Sequence, residues 1–395
     1  MIHIEADVAI VGGGLIGCAT AYYLRKRGRS VVLLERGFVG AQSSGVNFGS
    51  LRLQGHHLPE LPLALRSQTL WEGLEAELGE SVEFAQQGHV HVAMSEDHVD
   101  ITRRFAAAAH PLGLSVTLLD RQETLRRWPF LTPDVQGASW SARDAVANPR
   151  LATPAFARAA LGLGAAIHEE TEVTEISHSA GCFTLRTATR LTVTASNLVN
   201  TAGVWGGAIA RRFNEPVPIF PAGPVEIITE PVTAFAAPVM HVVDGSILFR
   251  QTNRGNILFA GHPRITVDAD SRRTRVPPAK MVTNMARLAT LVPHLRHLHV
   301  IRTWTGIEGY VPDMTPIVGG SETTPGLFHG FACSGHGLQV GPALATILTE
   351  LIVDGGTQTP IAALSIGRFQ KQVPPDPASL RQEFHDDVLQ QKPTT

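Results

Sequence analysis

The run Gly12-Gly13-Gly14-Leu15-Ile16-Gly17 follows the β-branched stretch "ADVAIV" and opens "LIGCATAYYLRKRG", which has helical composition and ends at Gly28. Glycines at this spacing have a chemical use. Gly12 makes a tight turn, Gly14 lets backbone approach a pyrophosphate, and Gly17 lets helix and strand touch. The helix start at Leu15 and Ile16 then offers N–H groups to phosphate oxygens. Glu35 closes the next strand, "SVVLLE". It can accept from an adenosine ribose hydroxyl, and its charge would repel a 2′-phosphate. A glycine turn without ligand is the plain alternative. The strand–motif–helix–strand order favours a dinucleotide.

Which dinucleotide follows from what comes next. The motif stands almost at the first residue, and "RGFVGAQSSGVNFGS" after Glu35 is small and polar, with Arg36, Ser43, Ser44, Asn47, Phe48 and Gly49. Such an extension suits the long diphosphate of FAD. NAD would rather call for another strand–helix unit at once.

Around this motif the chain must supply a scaffold. The βαβ unit implies a parallel sheet. "ALRSQTLWEGLEAELG" reads as an amphipathic helix with Leu65, Leu70, Leu74 and Leu78 on its apolar side. "GHVHVAM" alternates like a half-buried strand. "LATPAFARAALGLGA" reads as a helix, followed by strands "AAIHEETEVTEI", "CFTLRTATRLTVTA" and "NLVNTAG". "GPVEIITEP" and "SILFRQTNRGNILFAG" read as antiparallel strands, the latter a hairpin turning at Asn253-Arg254-Gly255. The expected fold is α/β, α+β overall: a Rossmann-like FAD-binding domain formed by 1–83, 145–218 and 302–367. An antiparallel-sheet substrate domain, 84–144 and 219–301, is inserted into it twice. The polar tail 368–395 reads as a surface arm or disordered.

Composition narrows the partners. The chain has 395 residues, 44% hydrophobic and 17% charged, with a net charge of −2. That fits a large core and argues against nucleic acid or an anionic membrane as the main partner. Cys18, Cys182 and Cys333 are widely spaced and suggest neither a disulfide framework nor a zinc site. A reducing, cytoplasmic setting is expected. No signal peptide is evident, and "GLQVGPALATILTELIVDGG" is too short and polar to span a bilayer.

With these landmarks in order, the chain resembles the FAD-dependent amino-acid oxidase superfamily that includes sarcosine oxidase, glycine oxidase and D-amino acid dehydrogenase. The resemblance runs over nearly the whole chain. Beyond the N-terminal motif and "SSG", it rests on "PLALRSQTLW", "RRWPFLTPDVQGASWSARDAVANPRL", "ETEVTEI", "VNTAGVWGGAIA" and "GFACSGHGLQVGPALA". It implies adenine contact through backbone at Val173 and a second FAD contact at Thr201, Ala202, Gly203 and Trp205. It also sets Gly335, His336, Gly337 and Leu338 against the flavin pyrimidine. The physical reading agrees, since a helix starting at Gly337 would aim its positive end at the edge that becomes anionic on reduction. His336 as a core or turn histidine is the other reading. The position matching the tethering cysteine of sarcosine oxidase is Gly306, which implies noncovalent FAD. Cys333 nearby reads as a small buried thiol.

The resemblance implies oxidation of a C–N bond by hydride transfer to flavin, with hydrolysis of the product imine. The donor would be an amino acid or N-substituted amine, and the acceptor oxygen, a quinone or a dye. Arg52 matches an arginine that clasps the substrate carboxylate in sarcosine oxidase; a plain surface arginine is the alternative. The lysine beside the flavin there becomes Gln339, and the oxygen-activating position falls at Phe259. Both carboxylate-binding arginines of glycine oxidase are replaced, by Glu308 and Gly335. An acid at Glu308 reverses the local charge and would attract a cationic nitrogen, unless it turns away to a residue such as Arg302. Arg250 is a further candidate, reaching in from the inserted domain. Two further readings stay open: a flavoprotein subunit needing partner chains, as in opine and hydroxyproline dehydrogenases, and 2-hydroxy acid oxidation.

Overall fold

The computed structural model describes residues 2–236, 238–371, 375–376 and 380–390. Strand Ile2–Val11 lies at the centre of the first sheet, with Val31–Leu34 and then Ala166–His168 on one side, all parallel. On the other side come Leu191–Asn200 and Leu327–Phe331, also parallel, and then antiparallel Ile317–Gly320 at the edge. All four residues of Val31–Leu34 are buried, as expected for a parallel strand covered on both faces. Helices Leu15–Lys26, Pro149–Gly162 and Gly337–Val353 pack together on this sheet in one apolar core. Gly341 lets the last of these approach the first, since a Cβ there would lie 2.7 Å from the Leu15 side chain.

The second sheet runs Val300–Thr305, Val225–Pro231, Asn256–Ala260, Leu248–Gln251, Val239–Val242, His89–Ala93, Gly137–Ser141, Thr117–Asp120. Its strands are antiparallel except for the pair Val239–Val242 and His89–Ala93, which is parallel. Two separate stretches of sequence thus meet in one sheet. The edge strand reaches Thr305, past the expected boundary at 301.

Several local expectations need correction. "AAIHEETEVTEI" is two strands, Ala166–His168 in the parallel sheet and Val173–Ser179 in a hairpin with Cys182–Thr187. "RLTVTASNLVN" is continuous, one strand from Leu191 to Asn200. The helix over 64–79 begins at Leu61, and its fully buried residues are Leu61, Leu63, Ala64, Ser67, Gln68, Trp71 and Leu74. Leu65, Leu70 and Leu78 are only partly buried. The tail does not behave as a free arm over 380–390: Phe384 and Val388 are buried against Phe220, Tyr310 and Met314. Among the described residues no helix is long and apolar enough to cross a membrane.

Candidate active site

One cavity of about 1220 Å³ runs from the glycine motif to the second sheet. That exceeds the usual range for a single drug-sized ligand. Its first end is lined by Gly12, Gly14, Leu15, Ile16, Glu35, Arg36, Ser43, Ser44, Asn47, Phe48 and Gly49. Val173, Thr201, Ala202, Gly203 and Trp205 line it as well. Gly12 has φ +108° and its missing Cβ would sit 2.5 Å from the Thr201 carbonyl. Gly17 is off the cavity wall. A Cβ there would lie 2.0 Å from the Gly12 carbonyl, so this glycine serves the contact of helix and strand. The Glu35 carboxylate accepts from the N–H groups of Gly13 and Gly37, both at 2.7 Å, which fixes the turn. The Ser44 hydroxyl accepts from Leu15 N–H at 3.0 Å. Arg36 stacks over Trp205 with its guanidinium 3.8 Å from the ring centre. The first turn of helix Leu15–Lys26 carries no acid, and neither does that of Gly337–Val353. Both positive helix ends lie on the cavity. A long, glycine-walled cradle with two helix starts fits an FAD diphosphate and its flavin.

The other end is built from side chains. Arg52 Nη2 lies 3.0 Å from His336 Nε2, and His336 Nδ1 lies 2.9 Å from Glu60 Oε2. Arginine can only donate and a carboxylate can only accept, so His336 is neutral and carries its proton on Nδ1. Burial agrees, lowering His336 to about 4. Glu60 is fully buried; the His336 and His56 imidazoles outweigh that burial and hold its carboxyl well below the usual range. His56 Nε2 donates to the Arg52 carbonyl at 2.6 Å. Arg52 is thus held by both its side chain and its backbone.

In the same cavity, Glu308 accepts a hydrogen bond from the Tyr310 hydroxyl. Burial raises its carboxyl, opposed by that bond and by the Arg264 charge. Glu308 does not meet Arg302, which stacks on Trp304 instead. Glu226 lies within electrostatic reach, raised to about 8 by burial and by the charge of Glu308. Arg264 Nη1 pairs with Glu383 Oε2 at 2.7 Å and lies over the rings of Tyr310 and Phe384. Its Nη2 would be 3.4 Å from a Cβ at Gly335, so one guanidinium fills space that Gly335 leaves open.

Besides Gly17, two candidates fall outside the cavity. Arg250 does not line it; its Nε donates to the Phe48 carbonyl at 3.0 Å and buttresses the cradle loop from behind. Gly306 is also absent from the wall, and a Cβ there would face Val46, at 2.7 Å. Gln339 does line the cavity, but its Nε2 donates to the Ala64 carbonyl at 3.1 Å and ties two helices together. Phe259 is buried in the core of the second sheet.

Sequence reasoning missed Glu60, Glu226, Arg264, Glu383 and the histidines of the second sheet. Glu226 had a signal, an acid within the apolar strand run "GPVEIITEP". The "GHVHVAM" alternation likewise put His89 and His91 on one face.

Comparison with known proteins agrees with this geometry. The family model for FAD dependent oxidoreductase (DAO) matches residues 7–351. Glycine oxidase of Geobacillus kaustophilus is 29% identical over 377 residues, covering 92% of this chain and 97% of that protein. A subunit of the opine oxidase of Rhizobium meliloti is 27% identical over 379 residues, 93% and 99% of the two chains. The crystal structure of L-proline dehydrogenase from P. horikoshii superposes with a TM-score of 0.88 at 26% identity, over 94% of this chain and 99% of that one. With its glycine cradle joined to a second sheet bearing charged side chains, the chain belongs to the FAD dependent oxidoreductase family.

Proposed function

We propose that the protein dehydrogenates an N-substituted amino acid or related secondary amine, using noncovalently held FAD. The observation that carries this reading is the fixed Arg52 cation in the same cavity as the glycine cradle, with the acids Glu308 and Glu226 also lining that cavity. When bound, the flavin supplies the hydride acceptor. The chain's own share is positioning and proton handling. Arg52 takes a substrate carboxylate through two parallel N–H bonds, with His336 and Glu60 keeping the guanidinium in place. The cationic nitrogen then lies toward Glu308. Only a neutral amine readily gives up a hydride, so its ammonium proton must leave first. A carboxylate with a raised pKa is suited to receive it, and Glu308 is such a group. The Tyr310 hydroxyl, donating to Glu308, orients that carboxylate. Fixing the donor carbon in this way is the main contribution to rate.

A panel of secondary amines, amino acids and 2-hydroxy acids, with dye reduction as readout, tests the reading. Secondary amines carrying a carboxylate are expected to reduce the dye fastest. Turnover of 2-hydroxy acids alone would overturn it.

A second reading, a flavoprotein that works within a larger assembly, is favoured by the full-length match to an opine oxidase subunit. Gel filtration with a flavin absorbance trace separates the two. An isolated chain that turns over amines at full rate needs no partner.

A further inference from the structure

We propose that His89, His91 and His241 form a binding site for a late first-row divalent metal ion such as Zn²⁺, on the substrate-domain wall of the cavity. The three rings come together through register. His89 and His91 are two residues apart on strand His89–Ala93, so they project from the same face. Strand Val239–Val242 runs parallel beside it, and His241 stands opposite His91. Ring centres are 5.0 Å apart for His89 and His91, 4.9 Å for His91 and His241, and 5.7 Å for His89 and His241. One ring nitrogen of each lies within 4.8 Å of one from each of the others. All three residues line the cavity.

What points to a ligand is the state of these nitrogens. Both nitrogens of His89, Nε2 of His91 and Nδ1 of His241 are buried, and among the described residues none has a hydrogen-bond partner. Leaving several buried polar atoms unpaired in one cluster is costly, because each has given up its bond to water without replacement. A second trio in the same cavity, His56, Glu60 and His336, has similar spacing. There most of the groups are paired: Glu60 accepts from His336 through Oε2, and His336 accepts from Arg52, which leaves His56 Nδ1 and Glu60 Oε1 without a hydrogen-bond partner among the described residues. That trio has a structural task, and the first has none.

The chemistry of the donor set fits a metal. Imidazole nitrogen suits Zn²⁺, Cu²⁺, Ni²⁺ and Fe²⁺, and three such ligands leave a position open to water or substrate. Zinc–nitrogen bonds of roughly 2.0–2.1 Å would bring tetrahedral ligand atoms to roughly 3.4 Å apart. The second χ torsion of histidine is broad and soft, so ring rotation can close that gap from 4.8 Å. A carboxylate is also present. Asp144 is fully buried, with Oδ2 3.8 Å from His89 Nδ1. That separation is too long for a hydrogen bond, so Asp144 lies near the trio without fixing the His89 tautomer. Arg52 is near enough to repel a cation, and Asp144 and Glu60, both within its electrostatic reach, offset that charge. The open coordination position would face the space given above to substrate.

The test does not depend on knowing the substrate. The purified FAD-loaded protein is stripped with chelator, titrated with Zn²⁺ and with Co²⁺ by calorimetry, and assayed for metal per flavin after gel filtration. One ion per flavin is expected for the wild type. His91→Ala and His241→Ala are each expected to weaken binding at least tenfold while the flavin spectrum stays unchanged. Asp144→Asn is expected to weaken it less. Wild-type protein that binds neither ion near one per flavin overturns the site, whatever the variants do. So does binding that is equally tight in His241→Ala, since the ion would then sit elsewhere. Failure of the amine panel leaves this outcome untouched, because metal binding is read without turnover.

Discussion

The two ends of the cavity are built in different ways. At the cofactor end the working parts are backbone: turns at Gly12, missing Cβ atoms at Gly14 and Gly17, and the N-terminus of the helix at Leu15. Most of these lie within a few residues of one another. At the substrate end the working parts are side chains from remote segments. Arg52 meets His336, 284 residues away, and His336 meets Glu60 across 276 residues. Arg264 meets Glu383 across 119 residues. At the first end Gly12 and Gly17 leave no room for a Cβ; the second depends on the identity of each charged group. Changes at the first should therefore remove the flavin outright, and changes at the second should leave the flavin and alter catalysis.

The largest effect is expected at Gly14. A Cβ there would lie 3.0 Å from Ser44 Oγ, which accepts from Leu15 N–H and so shapes the helix start. Gly14→Val should purify nearly colourless, with flavin per chain falling to near zero while circular dichroism stays unchanged. Full flavin content in this variant would break the assignment of the cradle.

Arg52→Ala comes next. Losing a charge-assisted pair with a substrate carboxylate costs about 1.5–3 kcal/mol, roughly 10–150-fold in kcat/KM. Flavin content should hold. Glu60→Gln should act in the same direction but more weakly, because it removes the group that orients His336 and not the cation itself. If Glu60→Gln proves as damaging as Arg52→Ala and also sheds flavin, the His336–Glu60 pair belongs to the cofactor end.

Glu308→Gln sharpens the comparison from an acid at the substrate end. Opposite charges a few ångströms apart in a partly dry site contribute about 1–3 kcal/mol, up to roughly a hundredfold. KM for a cationic secondary amine should rise toward that limit with FAD still bound. An unchanged KM and rate for the best amine would remove Glu308 from substrate binding.

The same contrast explains how much the sequence disclosed. The glycine motif is legible because its function resides in adjacent residues whose missing side chains are themselves the signal. The paired stretches of the inserted domain were legible from strand alternation and the turn at Asn253-Arg254-Gly255. Glu60 was not, because its role requires knowing that the helix starting at Leu61 packs against Gly337–Val353. Glu383 was hidden for a different reason. A polar tail gives no periodic signal, yet Phe384, 1% exposed, pins it beside Tyr310. Arg250 shows the opposite error: a cation in a strand of the substrate sheet looked available for substrate, and its geometry commits it to the Phe48 carbonyl.

The smallest effect concerns pH and separates the two acids on the substrate wall. Glu226 is buried, its carboxyl is raised to about 8, and its Oε2 has no hydrogen-bond partner among the described residues. In the unfolded chain an ordinary glutamate loses its proton near pH 4.3. Between that value and about 8 the folded protein therefore holds a proton that the unfolded chain has released. Stability contributed by this group is present below the unfolded value and falls as pH rises through the window. Glu226→Gln removes the titration while keeping the shape. Its melting temperature should be close to wild type at pH 5 and higher than wild type at pH 8, by a few degrees. A secondary amine bound between Glu226 and Glu308 would favour the ionised acid and shrink the difference when substrate analogue is added. Parallel melting curves for wild type and variant across the whole range would mean that Glu226 stays ionised, paired with the Arg250 that also lies within its electrostatic reach.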